Sequence, residues 1–154
     1  MPATTSDGRV TVDELDGPWA IELHVDETTS AIKCKCTDEG AFFFLLAKDY
    51  AVAADHVAGV DELLQTIYPG SYRKMFASVA IEDIAPLTIA GRQWFEARYR
   101  FVHAKRGEIE KTERVYCHDE HVLLVSAEGS PADMARFAAL ARAWMDSARF
   151  AALA

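Results

Sequence analysis

The feature that most constrains the fold is the alternation of apolar and charged side chains from Phe95 to Phe101, within the strand predicted at Gln93–His103. From Phe95 to Phe101 every second residue is apolar, and the residues between them are charged. A period of two is typical of a β-strand with one buried and one solvated face. Strand-like segments flank it, separated by glycine-containing turns at Ala90–Arg92 and Lys105–Gly107. We therefore predict an antiparallel meander in this half of the chain.

A helix is predicted after the last of these strands. Ser130 can cap its first turn, and Asp133 can bond back to the cap. The helix carries a stripe of residues at helical spacing that we expect to be buried, namely Met134, Phe137, Leu140, Ala141, Trp144 and Ala148. We expect one helix running to Phe150, with a surface ion pair between Arg142 and Asp146.

Three further strands are predicted in the first half of the chain, at Trp19–Val25, Ala31–Thr37 and Ala41–Lys48. The first two alternate, so each has one polar face. The run from Phe42 to Leu46 has no polar residue at all. Both faces of that strand should therefore be covered, as in the interior of a sheet.

The pattern changes between the two sets of strands. Asp61 and Glu62 are suited to the positive N-terminal end of a short helix, which Pro69–Gly70 should stop. The alanine-rich stretch Ala51–Ala58 has too little bulk to define a face, so it is either a weak helix or an ordered loop. We thus expect short helices in the middle of the chain.

Composition limits the class of protein. The chain has 154 residues, of which 51% are hydrophobic and 26% charged, as in an ordinary globular domain. We predict an α+β fold, an α/β/α sandwich in which a twisted antiparallel sheet of about six or seven strands packs against a C-terminal helix and shorter middle helices. Residues 1–8 are predicted to be a flexible tail and 9–154 a single domain.

Charge and cysteine usage bear on partners and compartment. The net charge of −8 repels nucleic-acid phosphates, so we do not expect nucleic acid to be a partner. No stretch approaches the roughly 20 apolar residues of a membrane-spanning helix, and Met1–Asp16 does not resemble a signal peptide. Three cysteines, an odd number, fit reduced thiols better than disulfides. We therefore expect a cytoplasmic protein; its oligomeric state does not follow from the sequence.

The second half of the chain resembles a known family. The segments that carry the likeness are Ile84–Trp94, Arg98–Phe101, Val122–Ala127 and the helix to Phe150. Together they look like the C-terminal half of PsbP-like domains. That superfamily includes photosystem II extrinsic proteins, the Ran-binding transport factor of yeast, DcrB-type bacterial proteins and the chaperones that hold type VI secretion effectors.

The resemblance implies an α/β/α sandwich around a twisted antiparallel sheet. It also implies a binding role, because members of known function mostly bind or stabilise other macromolecules. No catalytic residues shared by the family can be carried over to this chain. The central segment from Asp49 to Ser78 departs from the family pattern, because Pro69–Gly70 interrupts what would otherwise be a longer helix.

One cluster, Cys117-His118-Asp119-Glu120-His121, has the residue types of a metal or thiol site. Its spacing does not suit a structural zinc site, which needs two pairs of ligands that converge tetrahedrally. A cysteine nucleophile needs a neighbouring base, but Cys117 and His118 are adjacent strand residues and should point to opposite faces. Cys117, His118 and His121 are therefore only weak metal candidates, and we predict no cofactor.

Aromatic and basic residues on one sheet face give the main functional hypothesis. Trp94 falls on the face opposite Phe95, together with Arg98 and Arg100, and Phe43 falls opposite its aromatic neighbours. If helices leave this face partly uncovered, these residues form an apolar patch for a partner helix or peptide. The alternative is that the aromatic residues belong to the core.

We therefore expect a non-enzymatic module that binds a protein or peptide through one face of its sheet. A second hypothesis is a carrier of a small ligand or lipid, with a pocket between sheet and helices. A metal or thiol enzyme centred on Cys117, His118 and His121 is the third.

Overall fold

The computed structural model describes residues 2–51, 59, 62–76 and 78–154. The described part contains ten strands, which are β1 Pro2–Thr4, β2 Val10–Asp13, β3 Trp19–Val25, β4 Thr29–Cys36, β5 Phe43–Ala51, β6 Ser78–Ile89, β7 Arg92–His103, β8 Gly107–His118, β9 His121–Gly129 and β10 Arg149–Phe150. A π-helical segment, Leu63–Ile67, leads into helix α1, Tyr68–Arg73. The C-terminal helices are α2, Pro131–Arg136, and α3, Ala138–Ser147.

Seven of these strands form one antiparallel sheet in the order β3-β4-β5-β9-β8-β7-β6. The predicted α+β class and the strand number are confirmed. Strand β5, whose run 42–46 lacks polar residues, lies inside the sheet between β4 and β9. The last four strands of the sheet form the predicted meander, because consecutive hairpins join β6 to β7, β7 to β8 and β8 to β9.

The sheet is covered on both sides. Face A, which carries Ile32, Leu45 and Leu123, packs against α2, α3 and a small sheet of β1, β2 and β10. Face B, which carries Tyr99 and Leu124, packs against the π-helical segment and α1. The sandwich arises because the middle strands β5 and β9 bear apolar residues on both sides, so each face of the sheet needs its own cover.

The C-terminal helix begins as predicted but is not continuous. The Ser130 hydroxyl accepts a hydrogen bond from the Asp133 amide at 3.2 Å and donates one to the Asp133 carboxylate at 2.9 Å. The helix breaks at Phe137, whose ring packs against Trp19 and Phe43 and whose backbone leaves helical geometry. It ends at Ser147, because Arg149 and Phe150 pair with β2. The prediction of one helix to Phe150 was therefore wrong.

The structure of the middle helix differs from a second prediction, that Pro69–Gly70 would end it. Pro69 and Gly70 lie inside α1 rather than ending a helix. Pro69 occupies the first turn of α1, where the missing N–H has little cost, because the preceding segment is π-helical and the hydrogen-bond pattern changes there. The segment 52–58, most of the alanine-rich stretch, lies outside the described residues, as does Asp61.

The N-terminal residues take part in the fold. Pro2–Thr4 form strand β1, which pairs with β2, whereas we expected a tail there. A hydrogen bond of 3.0 Å joins the hydroxyls of Thr4 and Thr11. The Arg9 guanidinium donates a hydrogen bond of 2.8 Å to the buried carboxylate of Asp49. This contact links the residue before β2 to the C-terminal end of β5.

Candidate functional site

A groove lies on face A between strands β7 and β8 and the helices α2 and α3. Its volume is about 500 Å³. The floor is polar and consists of Glu96, Arg98, Glu110, Thr112 and Arg114, whereas small and apolar residues form most of the helical wall, namely Pro131, Met134, Ala135, Ala138, Ala141 and Met145. Ala127 and Arg142 complete the lining.

Strand alternation produces the polar floor. In β7 the apolar side chains of the strict alternation face α1, so the charged residues between them point to face A. The register places Glu96 beside Arg114, and Arg98 beside Thr112, across β7 and β8. Charged groups of both signs therefore line a surface that the helices only partly cover.

Arg114 fixes one end of the groove. Its guanidinium donates to Glu96 at 3.0 Å and to Asp146 of α3 at 2.6 Å, and its side chain is almost fully buried. A guanidinium with two carboxylate partners can hold both in fixed directions. Arg114 thus links the floor of the groove to its helical wall.

Because Asp146 binds Arg114, a second arginine, Arg142, does not form the ion pair that we predicted. We expected Arg142 to pair with Asp146, but Asp146 binds Arg114 instead. Arg142 lines the groove and has no carboxylate partner among the described residues. The intrahelical prediction failed because the strand supplies a better-placed guanidinium than the next turn of the helix does.

The two arginines proposed from sequence differ in their surroundings. Arg98 lines the groove with 61% of its side chain exposed, and its nearest carboxylate, Asp83, is 3.9 Å away. Arg100 lies beyond the groove and contacts Glu82 at 3.0 Å and Glu110 at 3.6 Å. Arg98 is therefore the more available of the two for an external group.

Trp94 and Phe43 do not form the surface patch that we expected. Trp94 is only 4% exposed and packs against Tyr116 and Phe150. Phe43 is 1% exposed and packs against Trp19 and Phe137. Both side chains belong to the core of face A, because the small sheet and the C-terminal helices cover that part of the sheet.

The cysteine and histidine cluster is a hairpin between β8 and β9. His118 lies opposite His121 in the ladder, and His121 contacts the buried Asp49 carboxylate at 2.8 Å. Burial raises the pKa of the Cys117 thiol, which is the opposite of what an activated nucleophile needs. In the described ranges, no three His, Cys, Asp or Glu side chains are grouped so that they could hold a metal ion.

Face B contains a buried polar cluster that we did not predict. Glu113 is fully buried beside Ser126 in the ladder, and one step along the strands Lys111 lies beside Glu128. The hydroxyl of Tyr72 in α1 donates to Glu113 at 3.2 Å and accepts from Lys111 at 2.9 Å. Burial raises the pKa of both Glu113 and Glu128, against the opposing effect of Lys111.

Two atoms of this cluster are unsatisfied. Glu113 Oε1 and Ser126 Oγ have no hydrogen-bond partner among the described residues. The sequence did contain a signal, because Lys111 and Glu113 alternate in phase with the apolar Ile109 and Val115. Charged residues on the apolar side of a strand predict a buried polar group.

No helix in the described ranges is both long enough and apolar enough to cross a membrane. Comparison with protein-family models and with curated proteins finds no match. Comparison with solved structures finds similar folds.

The solution structure of cyanobacterial PsbP from Synechocystis sp. PCC 6803 superposes with a TM-score of 0.68 at 8% identity, over 97% of this chain and 91% of that one. A protein of unknown function from Pseudomonas aeruginosa, PA94, named as a candidate regulator, gives a TM-score of 0.55 at 11% identity, over 96% and 94%. LpqN of Mycobacterium tuberculosis, involved in cell envelope biogenesis, gives 0.47 at 11% identity, over 96% and 88%.

The chain therefore has the PsbP-like fold, an α+β sandwich built on one antiparallel sheet. The resemblance seen in the second half of the sequence is confirmed at the level of fold and extends over nearly the whole chain.

Proposed function

We propose that this protein is a non-enzymatic binding module that holds a segment of another protein in the groove on face A. The observation that carries the proposal is the groove itself, an open channel with a charged floor and an alanine-rich wall. The floor belongs to a seven-stranded sheet, so its side chains are held on a rigid support.

The charges of the groove indicate an acidic group on the partner. Arg98 is largely exposed, with only a distant ion pair, and Arg142 has no carboxylate partner in the described ranges. A guanidinium binds a carboxylate through two parallel hydrogen bonds. Since the whole chain carries a net charge of −8, these arginines provide a local attraction within a repulsive field, and binding should weaken with salt.

The helical wall indicates that the rest of the segment is apolar. Ala135, Ala138 and Ala141 present small side chains, flanked by Met134 and Met145. Methionine adapts its shape to varied apolar partners, as in other peptide-binding surfaces. We therefore propose a peptide segment with apolar side chains toward α2 and α3 and an acidic group toward the arginines.

The lining favours binding over covalent chemistry. Its described residues include no cysteine, histidine, serine or lysine, the hydroxyl of Thr112 bonds none of them, and Glu96 is held by Arg114. Nucleophilic catalysis needs a nucleophile with a base within hydrogen-bond reach, and the groove supplies no such pair among these residues.

The proposal also includes a location in the cell, and the groove admits a second candidate function. We propose a cytoplasmic location, because the buried Cys34 and Cys36 are unoxidised thiols, as is usual in a reducing compartment. A small-ligand carrier is the second candidate, since a volume of about 500 Å³ is within the range of ligand pockets. Native mass spectrometry of freshly purified protein distinguishes the two, because a carrier retains a small molecule of defined mass.

Selection of peptides from a random display library on the purified protein tests the proposal. We expect enriched peptides to combine apolar residues with an acidic group. Ala138→Trp, which fills the groove, and the double change Arg98→Gln with Arg142→Gln should each lower the affinity of a selected peptide at least tenfold. Arg100→Gln is the matched control, because it removes a neighbouring arginine that lies outside the groove.

The proposal is contradicted if no peptide is enriched, or if the groove variants bind as tightly as Arg100→Gln. Circular dichroism and thermal melting of each variant verify that loss of binding is not loss of folding.

A further inference from the structure

Strand β3 lies at one edge of the seven-stranded sheet. Among the described residues it pairs only with β4. The amide of Thr37 donates to Pro18 at 2.7 Å, and that of Asp26 donates to Thr29 at 2.9 Å, at the two ends of the β3–β4 ladder. Hydrogen bonding alternates along an antiparallel pair, so the backbone groups of Ile21, Leu23 and Val25 point away from β4.

The same three residues form an exposed apolar stripe. Ile21, Leu23 and Val25 share face A and are 42%, 53% and 39% exposed. They are three of the most exposed large apolar side chains of the described chain. Free backbone groups and exposed apolar side chains therefore coincide on one strand of seven residues.

The opposite edge of the sheet is protected. Strand β6 contains Pro86, carries the charged pair Glu82 and Asp83, and has an irregular register between Ile81 and Asp83. Proline, charge and bulges are the devices by which proteins prevent a strand edge from pairing with another chain. Strand β3 has no proline, pairs in regular register along its whole length and has no charged residue on face A.

We propose that β3 pairs antiparallel with β3 of a second copy of this chain, with the two-fold axis at Leu23. Leu23 then faces Leu23 of the second copy, and Ile21 faces Val25 of the second copy. All of these residues have outward-pointing backbone groups, so each such pair can exchange two hydrogen bonds. The exposed apolar stripes of both copies adjoin on face A and bury one another.

The side chains of Glu22 and His24 favour this register over the one in which the two-fold axis lies at Glu22. With the axis at Leu23, Glu22 faces His24 of the second copy, and the symmetry makes this contact twice. With the axis at Glu22 the hydrogen bonds are also possible, but the two Glu22 carboxylates face each other. A carboxylate can accept a hydrogen bond from a histidine ring N–H directly across a strand pair, whereas like charges in that position destabilise the pair. A self-complementary edge of this kind is what a two-fold symmetric dimer requires.

The dimer leaves the proposed binding groove open. The groove lies on β7 and β8, at the other end of the sheet from β3. Each dimer therefore presents two grooves, and the dimer does not depend on the groove having a ligand.

The oligomeric state in solution tests the pairing. We expect light scattering coupled to size exclusion to give twice the 17.0 kDa of one chain at micromolar concentration. Leu23→Lys should give a monomer with an unchanged circular dichroism spectrum. Val102→Lys is the matched control, because Val102 is 38% exposed on the other half of the sheet, and it should remain a dimer. A monomeric wild-type protein, or a dimeric Leu23→Lys variant, would overturn the proposal.

Cysteine cross-linking tests the register. Protein with Glu22→Cys mixed with protein with His24→Cys should form a disulfide-linked heterodimer under mild oxidation, because these positions face each other about 4.5 Å apart between α-carbons. Neither variant alone should cross-link as efficiently. Efficient cross-linking of Glu22→Cys alone places the axis at Glu22 and overturns the register proposed here.

Discussion

At the scale of single residues, Glu113 is the most unusual group in the molecule. It is fully buried, one carboxylate oxygen has no partner among the described residues, and burial raises its pKa. The folded protein therefore keeps a proton on Glu113 at pH values where the unfolded chain, with a pKa of about 4.5 for that group, has lost it. By linkage, the contribution of Glu113 to the unfolding free energy falls as the pH rises from about 4.5 toward its folded-state pKa.

Glu113→Gln should remove this contribution, because glutamine does not titrate and still accepts from Tyr72. We expect the variant to match the wild type near pH 4.5 and to exceed its unfolding free energy at pH 8, by about 1.4 kcal/mol for each unit by which burial raises the pKa of Glu113. Urea unfolding at both pH values measures the difference. Glu108→Gln, at an exposed site on the same strand, should show no such pH dependence. A Glu113→Gln variant less stable than wild type at pH 8 would mean that an ionised Glu113 stabilises the fold through Lys111.

The sequence predicted which residues share a face but not how completely each face is covered. Alternation correctly placed Trp94 opposite Phe95. Whether Trp94 is exposed depends on Phe150 of β10, which packs against it from a distant part of the chain. The same limit explains why Arg142 was assigned to Asp146, since the competing Arg114 comes from another strand.

At the scale of elements, strands were predicted better than helices. The bounds of β3 were predicted to the residue, because a period of two and flanking turns define a strand locally. Phe137 interrupts the C-terminal helix, and no local signal marks the break, because it depends on the contacts of the Phe137 ring with Trp19 and Phe43. Proline in α1 was misjudged because a change of helical hydrogen bonding before it is not visible in the sequence.

Two glycines in different elements should respond oppositely to the same substitution. A β-carbon at Gly129, the end of β9, would lie 2.4 Å from the carbonyl oxygen of Phe42, so Gly129→Ala must displace backbone. We expect a loss of about 1–3 kcal/mol. At Gly70 in α1 nothing lies within 4 Å, and Gly70→Ala should stabilise the protein by roughly 0.5–1 kcal/mol through helix propensity. Chemical denaturation of both variants measures this, and equal effects of the same sign would contradict the local packing described here.

At the scale of the whole molecule, the fold class and the sheet followed from the sequence, whereas the groove did not. The groove arises from the distance at which α2 and α3 pack over β7 and β8, a property of the assembled sandwich. From the sequence, the floor of the groove could be predicted only as a row of charged residues that included Arg98. Its wall was predicted as a helix, without indication that its alanines leave space.

The central claim, that a peptide segment binds in this groove, is tested most directly by the methyl signals of methionine. Met134 and Met145 line the groove, whereas Met75 is 65% exposed and is not part of the lining. In protein labelled with ¹³C at the methionine methyl groups, addition of a display-selected peptide should shift the Met134 and Met145 resonances and leave Met75 unchanged. A shift confined to Met75, or saturable binding that moves neither Met134 nor Met145, would contradict the account.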